Sequence, residues 1–286
     1  MTVNQAIACN SVPPLAVTTS AHPTAEIEER ARVIAAELRA PYVPRNNRNI
    51  ARMFRETGCS RLLAVMADRL LLRDSGGVEY FFHPNLAILR GNNLKLGWRD
   101  IFADAAALQP GDSILDCTVG FAAEATLASY LVGPSGRVVG LESVPELAVV
   151  TRQGVRDFPL HPPELKEAMN RVEIVNADHR DFLRQAESRS FDVVYFDPFF
   201  EDRLPGSEKS VSPLFTFGNQ TPLETNAVIE AMRVAKRRVI IKHPKIEPLP
   251  EEIATLVTQN VTGRKSRVDY AVIDVGSIRT QPANQN

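Results

Sequence analysis

The chain has 286 residues, of which 44% are hydrophobic and 23% charged, with a formal net charge of −1, the balance of an ordinary globular protein. No apolar run approaches the ~18 residues of a membrane span, and the N-terminus lacks the basic start and apolar core of a signal peptide. Three cysteines without C-x-x-C spacing and five scattered histidines argue against a disulfide framework and a metal site, and favour a cytoplasmic location.

Charge is distributed unevenly along the chain. Residues 41–99 hold ten Lys and Arg against four Asp and Glu, and residues 236–267 hold eight against three, so the remainder is acidic. Two basic segments on an acidic chain are typical of one face that binds a polyanion such as RNA. Charges clustered on solvated surfaces give the same pattern, so both interpretations stay open.

The first third of the chain predicts a lead-in followed by a small module. Residues 1–15 have the composition of a disordered segment, and "AVTTS" after them predicts a short strand. Apolar spacing predicts a helix that is capped by Thr24 and ends by Pro41, and a second helix that stops at Gly58. The runs "RLLAVMADRLLLRD", "GGVEYFFHP" and "LAILRG" predict short strands. We therefore predict an α+β module over residues 16–98, with RNA binding as a candidate role.

From residue 99 onward, apolar strands alternate with helices. Continuous apolar runs are typical of strands buried on both faces of a parallel sheet. The predicted strands are 113–117, 137–142, 171–178, 191–197 and 237–244, and the predicted helices lie near 121–132, 145–157, 163–169 and 222–235. "RKSRVDYAVIDVG" predicts one late, antiparallel strand. Residues 99–286 are therefore predicted to form an α/β, Rossmann-like domain whose mostly parallel sheet has helices on both faces.

Acidic residues end four successive predicted strands. They are Asp116, Glu142, Asp178 and Asp197. Ligands of doubly wound sheets bind at the carboxyl ends of the strands, so four acids there favour a binding site. Each acid alone also fits a helix cap, a turn or a surface position, and only the set outweighs that interpretation.

The turn after the first of these strands, "DCTVGFAAEA", contains one glycine, Gly120, and does not match G-x-G-x-x-G. A dinucleotide pyrophosphate needs those glycines, so their absence argues against NAD and FAD. Glu142 follows Asp116 by 26 residues and is placed to accept hydrogen bonds from ribose hydroxyls. These two features together suit S-adenosylmethionine, which has a ribose and no phosphates, and make Asp116, Thr118 and Gly120 candidate contacts.

At these residues the chain resembles class I S-adenosylmethionine-dependent methyltransferases. More narrowly, it resembles the RsmJ-type methyltransferases of small-subunit ribosomal RNA, which act on guanine N2, and the uncharacterised relatives of that group. The resemblance covers about residues 90–275 and is carried by "DCTVGFAAEA", "GLES", "NADHRDFL", "VVYFDPFF", "RVIIKHPKIEPLP" and "GRKSRVDYAV". It implies cofactor contacts at Ala123, Glu124, Glu142, Ser143, Asp178, His179 and Asp197. The chain departs from the family pattern at Ser143 and His243, where the family has arginine, and at Phe199, where it has methionine.

The segment Asp197-Pro198-Phe199-Phe200 resembles the [D/N]-P-P-[Y/F] site of methyltransferases that act on amines, with Phe199 in place of the second proline. The Asp197 carboxylate and a backbone carbonyl near Pro198 are candidate acceptors for the amine N–H bonds. Phe199 or Phe200 offers a face on which a base can stack. The alternative is that both phenylalanines are core residues after a turn, and we expect this of one of them.

Candidate substrate contacts follow the fifth strand of the domain. Lys242 and His243 end that strand, and Lys265 and Arg267 come later, so all four are candidates for binding a phosphate or the base; solvated charge is the alternative. The irregular region 201–221 has the length of a lid or binding loop. Three functions remain open: a methyltransferase acting on a base amine in RNA, one acting on a small molecule or protein side chain, and a non-catalytic RNA-binding protein that keeps the fold.

Overall fold

The computed structural model describes residues 14–199, 208–264 and 266–278. Contacts divide the chain into two compact units, Met1–Phe81 and Phe82–Asn286. The division falls before the predicted 98/99 boundary, because the helix Asn85–Lys95 packs against the helix Ala123–Val132 of the second unit. Residues 82–98 therefore belong with the Rossmann-like part of the chain.

The first unit is a four-stranded sheet, ordered β1-β2-β3-β4, with two helices. Its elements are β1 (Leu15–Thr19), α1 (Ala25–Glu37), α2 (Ile50–Thr57), β2 (Arg61–Val65), β3 (Leu70–Asp74) and β4 (Glu79–Tyr80). The predicted caps are confirmed: the Thr24 side chain accepts from the N–H of Ile27, and α2 stops at Gly58, whose φ is 68°. Residues 1–13 lie outside the described residues, and Leu15 of the predicted lead-in already belongs to β1.

The second unit is built on a seven-stranded sheet ordered β10-β11-β9-β8-β5-β6-β7. The strands are β5 (Ser113–Asp116), β6 (Arg137–Glu142), β7 (Val172–Asn176), β8 (Phe191–Phe196), β9 (Ala235–Pro244), β10 (Gln259–Thr262) and β11 (Val268–Asp274). The adjacent strands β9, β8, β5, β6 and β7 run parallel to one another. Strands β11 and β10 are added antiparallel at the edge beside β9. The predicted parallel sheet with one late antiparallel strand is therefore confirmed, and β10 is an element that the sequence reasoning missed.

Ten helices of the second unit fall within the described residues. They are α3 (Asn85–Lys95), α4 (Ile101–Ala106), α5 (Ala123–Val132), α6 (Pro145–Asp157), α7 (Pro163–Asn170), α8 (His179–Gln185), α9 (Glu208–Phe217), α10 (Thr225–Val234), α11 (Glu251–Ala254) and α12 (Val275–Ile278). One prediction is wrong: "LAILRG" lies in α3 and is not a strand. Its small residues Ala87 and Gly91 are buried while Leu86 and Leu89 are exposed, so its apolar run does not indicate two buried faces.

The two faces of the sheet differ in character. One face carries an apolar core that includes Phe196 of β8 and Ile241 of β9, packed with α10. Because side chains alternate along a strand, Tyr195 and Lys242 lie on the opposite face. There Tyr195 makes an edge-on contact with Phe102 of α4, at 5.1 Å between ring centroids.

Within the described ranges, no helix combines the length and the apolar character needed to cross a bilayer. A search of the same residues finds no group of three or more His, Cys, Asp and Glu side chains arranged to hold a metal ion.

Candidate active site

The strand order reverses at β5. Strands β6 and β7 lie on one side of β5, and β8 and β9 lie on the other. Ligands of open α/β sheets bind at the carboxyl ends of the strands beside such a switch point. Asp116 ends β5 and Asp197 follows β8 directly, so both predicted acids lie at this crevice.

Thr118 joins the two sides of the crevice. Its backbone N–H donates to Asp116 Oδ1 over 3.0 Å, and its hydroxyl accepts from the backbone N–H of Asp197 over 2.6 Å. Asp116 is 2% exposed, and burial raises the pKa of its carboxyl well above the usual value. The two hydrogen bonds of Thr118 tie the turn after β5 to the start of the Asp197-Pro198-Phe199 segment.

The turn after β5 approaches its neighbouring strand closely. Gly120 has a φ of +50°, and its carbonyl accepts from the hydroxyl of Thr151 over 2.9 Å. A Cβ on Gly140 of β6 would lie 2.5 Å from Val119 Cγ2, so only glycine there admits the turn. Ala122, the residue before α5, makes no side-chain cap hydrogen bond. The first backbone N–H groups of α5 are therefore available to bind a ligand in the crevice.

Asp197 lies in a row of alternating charges. Lys242 Nζ is 2.7 Å from Asp197 Oδ2 and 3.4 Å from Glu124 Oε1. Arg90 Nη1 donates to the same Glu124 oxygen over 2.7 Å, and its other nitrogens bind both oxygens of Asp100 over 2.8 and 2.9 Å. Although burial opposes ionisation, Lys242 and Arg90 lower the pKa of Glu124 to about 2. The predicted cofactor contact Glu124 is thus engaged by two cations, while Ala123 beside it is buried.

The carboxylate of Glu142 lies in a different environment from that of Glu124. Its Oε1 accepts from the backbone N–H of Val144 over 2.9 Å, and no basic side chain of the described residues pairs with it. Burial, and to a smaller extent the charge of Glu146, raise the pKa of Glu142 to about 7, while the backbone N–H groups of Val144 and Ser143 act in the opposite direction. A half-buried carboxylate without a cation suits a pair of hydroxyl donors, as a ribose provides.

Asp178 caps α8. Its Oδ1 accepts from the backbone N–H and Nε of Arg180, and its Oδ2 accepts from Nη2 over 2.7 Å. The hydrogen bond from Arg180 lowers the pKa of Asp178 to about 2. A carboxylate has about four acceptor sites, so one remains on Oδ2 for an adenine amine. His179 packs edge-on against Phe196 at 5.6 Å between ring centroids, and its buried Nε2 has no hydrogen-bond partner in the described part of the chain.

Phe199 has a packing partner. Its ring meets Phe215 of α9 edge-on, with 5.7 Å between centroids, and a Cβ on Gly218 would approach its ring to 3.0 Å. Phe199 therefore supports α9, and its edge contact leaves it half-buried. Phe200 and residues 201–207 of the predicted loop lie outside the described residues, while residues 208–217 of that loop form α9.

The structure separates the predicted substrate contacts. Lys242 is turned toward Asp197, whereas the adjacent His243 lies on the other face of β9, where its Nδ1 is 3.1 Å from the Pro244 carbonyl. Arg267 is exposed in the segment before β11, and Lys265 lies outside the described residues. The four residues therefore do not form one cluster among the described positions, because strand alternation divides Lys242 from His243.

The second basic segment is largely paired with acids and carbonyls. Lys236 binds Asp192, Arg237 binds Asp112, and the Arg238 guanidinium donates to the Ala105 carbonyl. Lys242 is paired as well, so much of the positive charge in residues 236–267 is bound to acids or carbonyls of the second unit. A polyanion surface made of this segment receives little support.

A mostly parallel sheet with acids at its switch point has the arrangement of Rossmann-like α/β proteins, which bind ligands at the carboxyl ends of the strands. The family model described as "Putative SAM-dependent methyltransferase" matches residues 81–272, a range that begins one residue before the second unit. The chain belongs to this family of S-adenosylmethionine-dependent methyltransferases.

Three relatives illustrate the range of similarity. "Uncharacterized protein YpiP" of Bacillus subtilis is 33% identical over 93% of this chain and the whole of its own length. "Ribosomal RNA small subunit methyltransferase J" of Laribacter hongkongensis is 28% identical over 48% of each chain, so this chain spans about half of that relative. The SAM-dependent methyltransferase NGO1261 of Neisseria gonorrhoeae, a solved structure, has a TM-score of 0.58 at 17% identity, covering 95% of this chain and 97% of its own, and shows a shared fold.

The cofactor of the family is S-adenosylmethionine, and the crevice fits it. The unpaired carboxylate of Glu142 suits the ribose, the uncapped start of α5 suits a carboxylate, and the single-glycine turn offers no cradle for a pyrophosphate. These assignments of individual residues to parts of the cofactor remain predictions.

Proposed function

We propose that this methyltransferase modifies an exocyclic amine of guanine in RNA, with ribosomal RNA as the favoured substrate. The observation that carries the proposal is the Asp197-Pro198-Phe199 segment at the switch point, with the Asp197 carboxylate held at the crevice beside β5. The similarity to RsmJ-type relatives, over about half of one of them, supports the substrate class.

The chain's own residues supply the polar environment for the acceptor. When bound, S-adenosylmethionine supplies a methyl carbon made electrophilic by its sulfonium sulfur. The amine nitrogen would bond to this carbon as the carbon–sulfur bond breaks, which would leave the neutral thioether S-adenosylhomocysteine, and the amine would release one proton to water. Asp197 accepts one N–H and the backbone carbonyl of Pro198 accepts the other, which frees the nitrogen lone pair and stabilises the positive charge that develops. The segment acts by holding the acceptor in line.

Phe199 and Phe200 are the two candidates for the aromatic role. Phe199 packs against Phe215 and lies close to Gly218, so it has a structural role. Stacking of an extruded base is then assigned to Phe200. The first unit adds limited support for RNA binding, because Arg48 and Arg52 of α2 and the preceding loop both pair with Glu56, while Arg55 is exposed.

The test is incubation of the full chain with methyl-labelled S-adenosylmethionine and fractionated RNA, followed by nucleoside analysis. We expect label in N2-methylguanosine of ribosomal RNA, abolished by Asp197→Asn and retained in Asp181→Asn, a control on the exposed surface of α8. Label that enters only a small molecule or protein overturns the RNA assignment. RNA binding without transfer, unaffected by Asp197→Asn, overturns the catalytic one.

Salt dependence gives a second test. A protein that contacts several phosphates loses affinity steeply as salt rises, with a log–log slope of about −0.7 per contact for single strands. We expect such a slope for RNA binding by the full chain. A flat dependence excludes an RNA substrate held through its backbone.

A further inference from the structure

A continuous row of opposite charges leads from α3 to the candidate active site. In order, Asp100, Arg90, Glu124, Lys242 and Asp197 alternate in sign, and each neighbouring pair is joined by an N–O distance of 2.7 to 3.4 Å. The row draws on α3, the start of α4, α5, the end of β8 and β9. All five side chains are largely buried, the most exposed being that of Asp197 at 32%.

The register of the sheet fixes the last pair of the row. In the parallel ladder of β8 and β9, Phe196 lies opposite Ile241, so the next residues on each strand are Asp197 and Lys242. Residues paired in this way point to the same face. Lys242 also lies opposite Tyr270 of β11, whose ring stacks on Tyr195 with 6.4 Å between centroids. The buried rings of Tyr195 and Tyr270 therefore lie on the same face of the sheet as the pair, and an apolar neighbourhood strengthens an ion pair.

We propose that Lys242 is a positioning residue for methyl transfer, which holds the Asp197 carboxylate ionised and in one orientation, while Glu124 and Arg90 hold the lysine. The proposal rests on the proposed function of Asp197 as acceptor of the amine N–H. It also changes the role of Lys242 from a phosphate or base contact to an internal support.

The surroundings of Asp197 explain why it needs the lysine. Burial and the Glu124 charge on α5 raise the pKa of Asp197, while Lys242 on β9 and Arg90 on α3 lower it. The remaining titratable groups near it, Asp116 of β5 and the phenols Tyr195 and Tyr270, carry no positive charge. Without Lys242, the carboxyl binds a proton more readily, and the oxygen that carries the proton becomes a donor. A donor opposite an amine N–H gives no help to the reaction.

The first measurement needs no substrate. The full chain labelled with ¹³C at the aspartate side chains is titrated by NMR, and the Asp197 signal is identified by its absence in Asp197→Asn. We expect Lys242→Met to raise the Asp197 pKa by about one unit or more, the usual influence of a close opposite charge. In the double variant Lys242→Met/Glu124→Gln, the negative charge of Glu124 is also lost, so we expect the Asp197 pKa to fall back toward its wild-type value. An Asp197 pKa that is the same in Lys242→Met and wild type overturns the proposal.

The matched control lies on the same two strands. Lys236 of β9 pairs with Asp192 of β8 over 3.2 Å, at the opposite end of the ladder from the crevice. We expect Lys236→Met to leave the Asp197 pKa unchanged. If Lys236→Met shifts it as much as Lys242→Met does, the effect is a general one of charge removal and the proposal fails.

Kinetics with the RNA substrate give the second measurement. We expect Lys242→Met to lower kcat by about 100-fold with little change in KM for RNA, and to shift the acidic limb of the pH profile upward. Lys242→Arg, which keeps the charge, restores part of kcat. A rise in KM with a salt slope reduced by about one unit, and an unchanged pH profile, identifies Lys242 as a phosphate contact and overturns the proposal. If the wild-type protein methylates no RNA, the proposed function is wrong. The NMR titration still tests whether Lys242 controls the Asp197 carboxylate.

Discussion

The backbone N–H of Asp197 donates to the hydroxyl of Thr118 over 2.6 Å, joining residues on the two sides of the switch point. Thr118→Val keeps the shape of the side chain and removes the acceptor. Because the N–H of Asp197 is then left unsatisfied in a partly buried site, we expect unfolding free energy to fall by about 1–3 kcal/mol. Urea unfolding measures this loss, and methyl transfer is expected to fall further because the Asp197 segment loses its anchor.

Thr118→Ser is the matched control, since it keeps the hydroxyl. Its unfolding midpoint and activity are expected to stay close to those of wild type. Equal behaviour of the Val and Ser variants would show that the hydroxyl of Thr118 does not position Asp197.

We expect Glu142 to make cofactor binding depend on pH. Burial raises its pKa to about 7 in the free protein, and hydroxyl donors favour the carboxylate form. Below pH 7 the free protein must release a proton to bind, so affinity for S-adenosylmethionine rises as pH increases toward 7 and levels off above it. Calorimetry between about pH 5.5 and pH 8.5 measures this, with proton release at the acidic end.

Glu142→Gln removes both the charge and its titration. We expect a loss of about 1–3 kcal/mol in cofactor affinity at about pH 8, and a flat pH dependence. Glu173→Gln, on the neighbouring strand β7 and exposed, is the control and is expected to bind as wild type does. Unchanged affinity of the Glu142→Gln variant at every pH refutes Glu142 as the ribose acceptor.

Gly140 permits the close approach of the turn after β5. A Cβ there would lie 2.5 Å from Val119 Cγ2, so Gly140→Ala forces the turn away from β6. We expect a loss of about 1–3 kcal/mol in unfolding free energy and weaker cofactor binding. Adding Val119→Ala removes the clashing methyl groups, so the double variant should be more stable than the sum of the two single changes predicts. If the losses of unfolding free energy in the two single variants are strictly additive, the strain in Gly140→Ala does not come from contact with the Val119 side chain.

The parts of the fold that followed strong patterns were predictable from the sequence. The apolar run of β8 and the helix Pro145–Asp157, which has a proline at its start, match their predicted ranges closely. The elements that were missed carry weak patterns. In α8 only Leu183 is buried, and α3 turns its leucines outward, so neither shows an apolar face that periodicity could detect.

The site was predictable only in part, for a related reason. Acids at strand ends can be read along the chain, and three of them, Asp116, Glu142 and Asp197, lie at the ends of neighbouring strands. The pairing of Lys242 with Asp197 needs the order and register of the strands, which a single sequence does not contain. The alternation rule could nevertheless have separated Lys242 from His243, because adjacent strand residues face opposite sides.

Asp116 is expected to act as a neutral carboxylic acid. Its folded pKa lies well above the unfolded value of about 3.9, so the native state keeps a proton that the unfolded chain releases, and stability declines as pH rises above about 4 toward the folded pKa. Asp116→Asn keeps an acceptor for the Thr118 N–H and has no proton to lose. Its stability relative to wild type should therefore increase between about pH 4.5 and pH 8 in urea unfolding, whereas Asp116→Ala should be less stable than Asp116→Asn at both values because it leaves that N–H unpaired. A constant difference between wild type and Asp116→Asn across this range would mean that Asp116 is ionised in the folded protein.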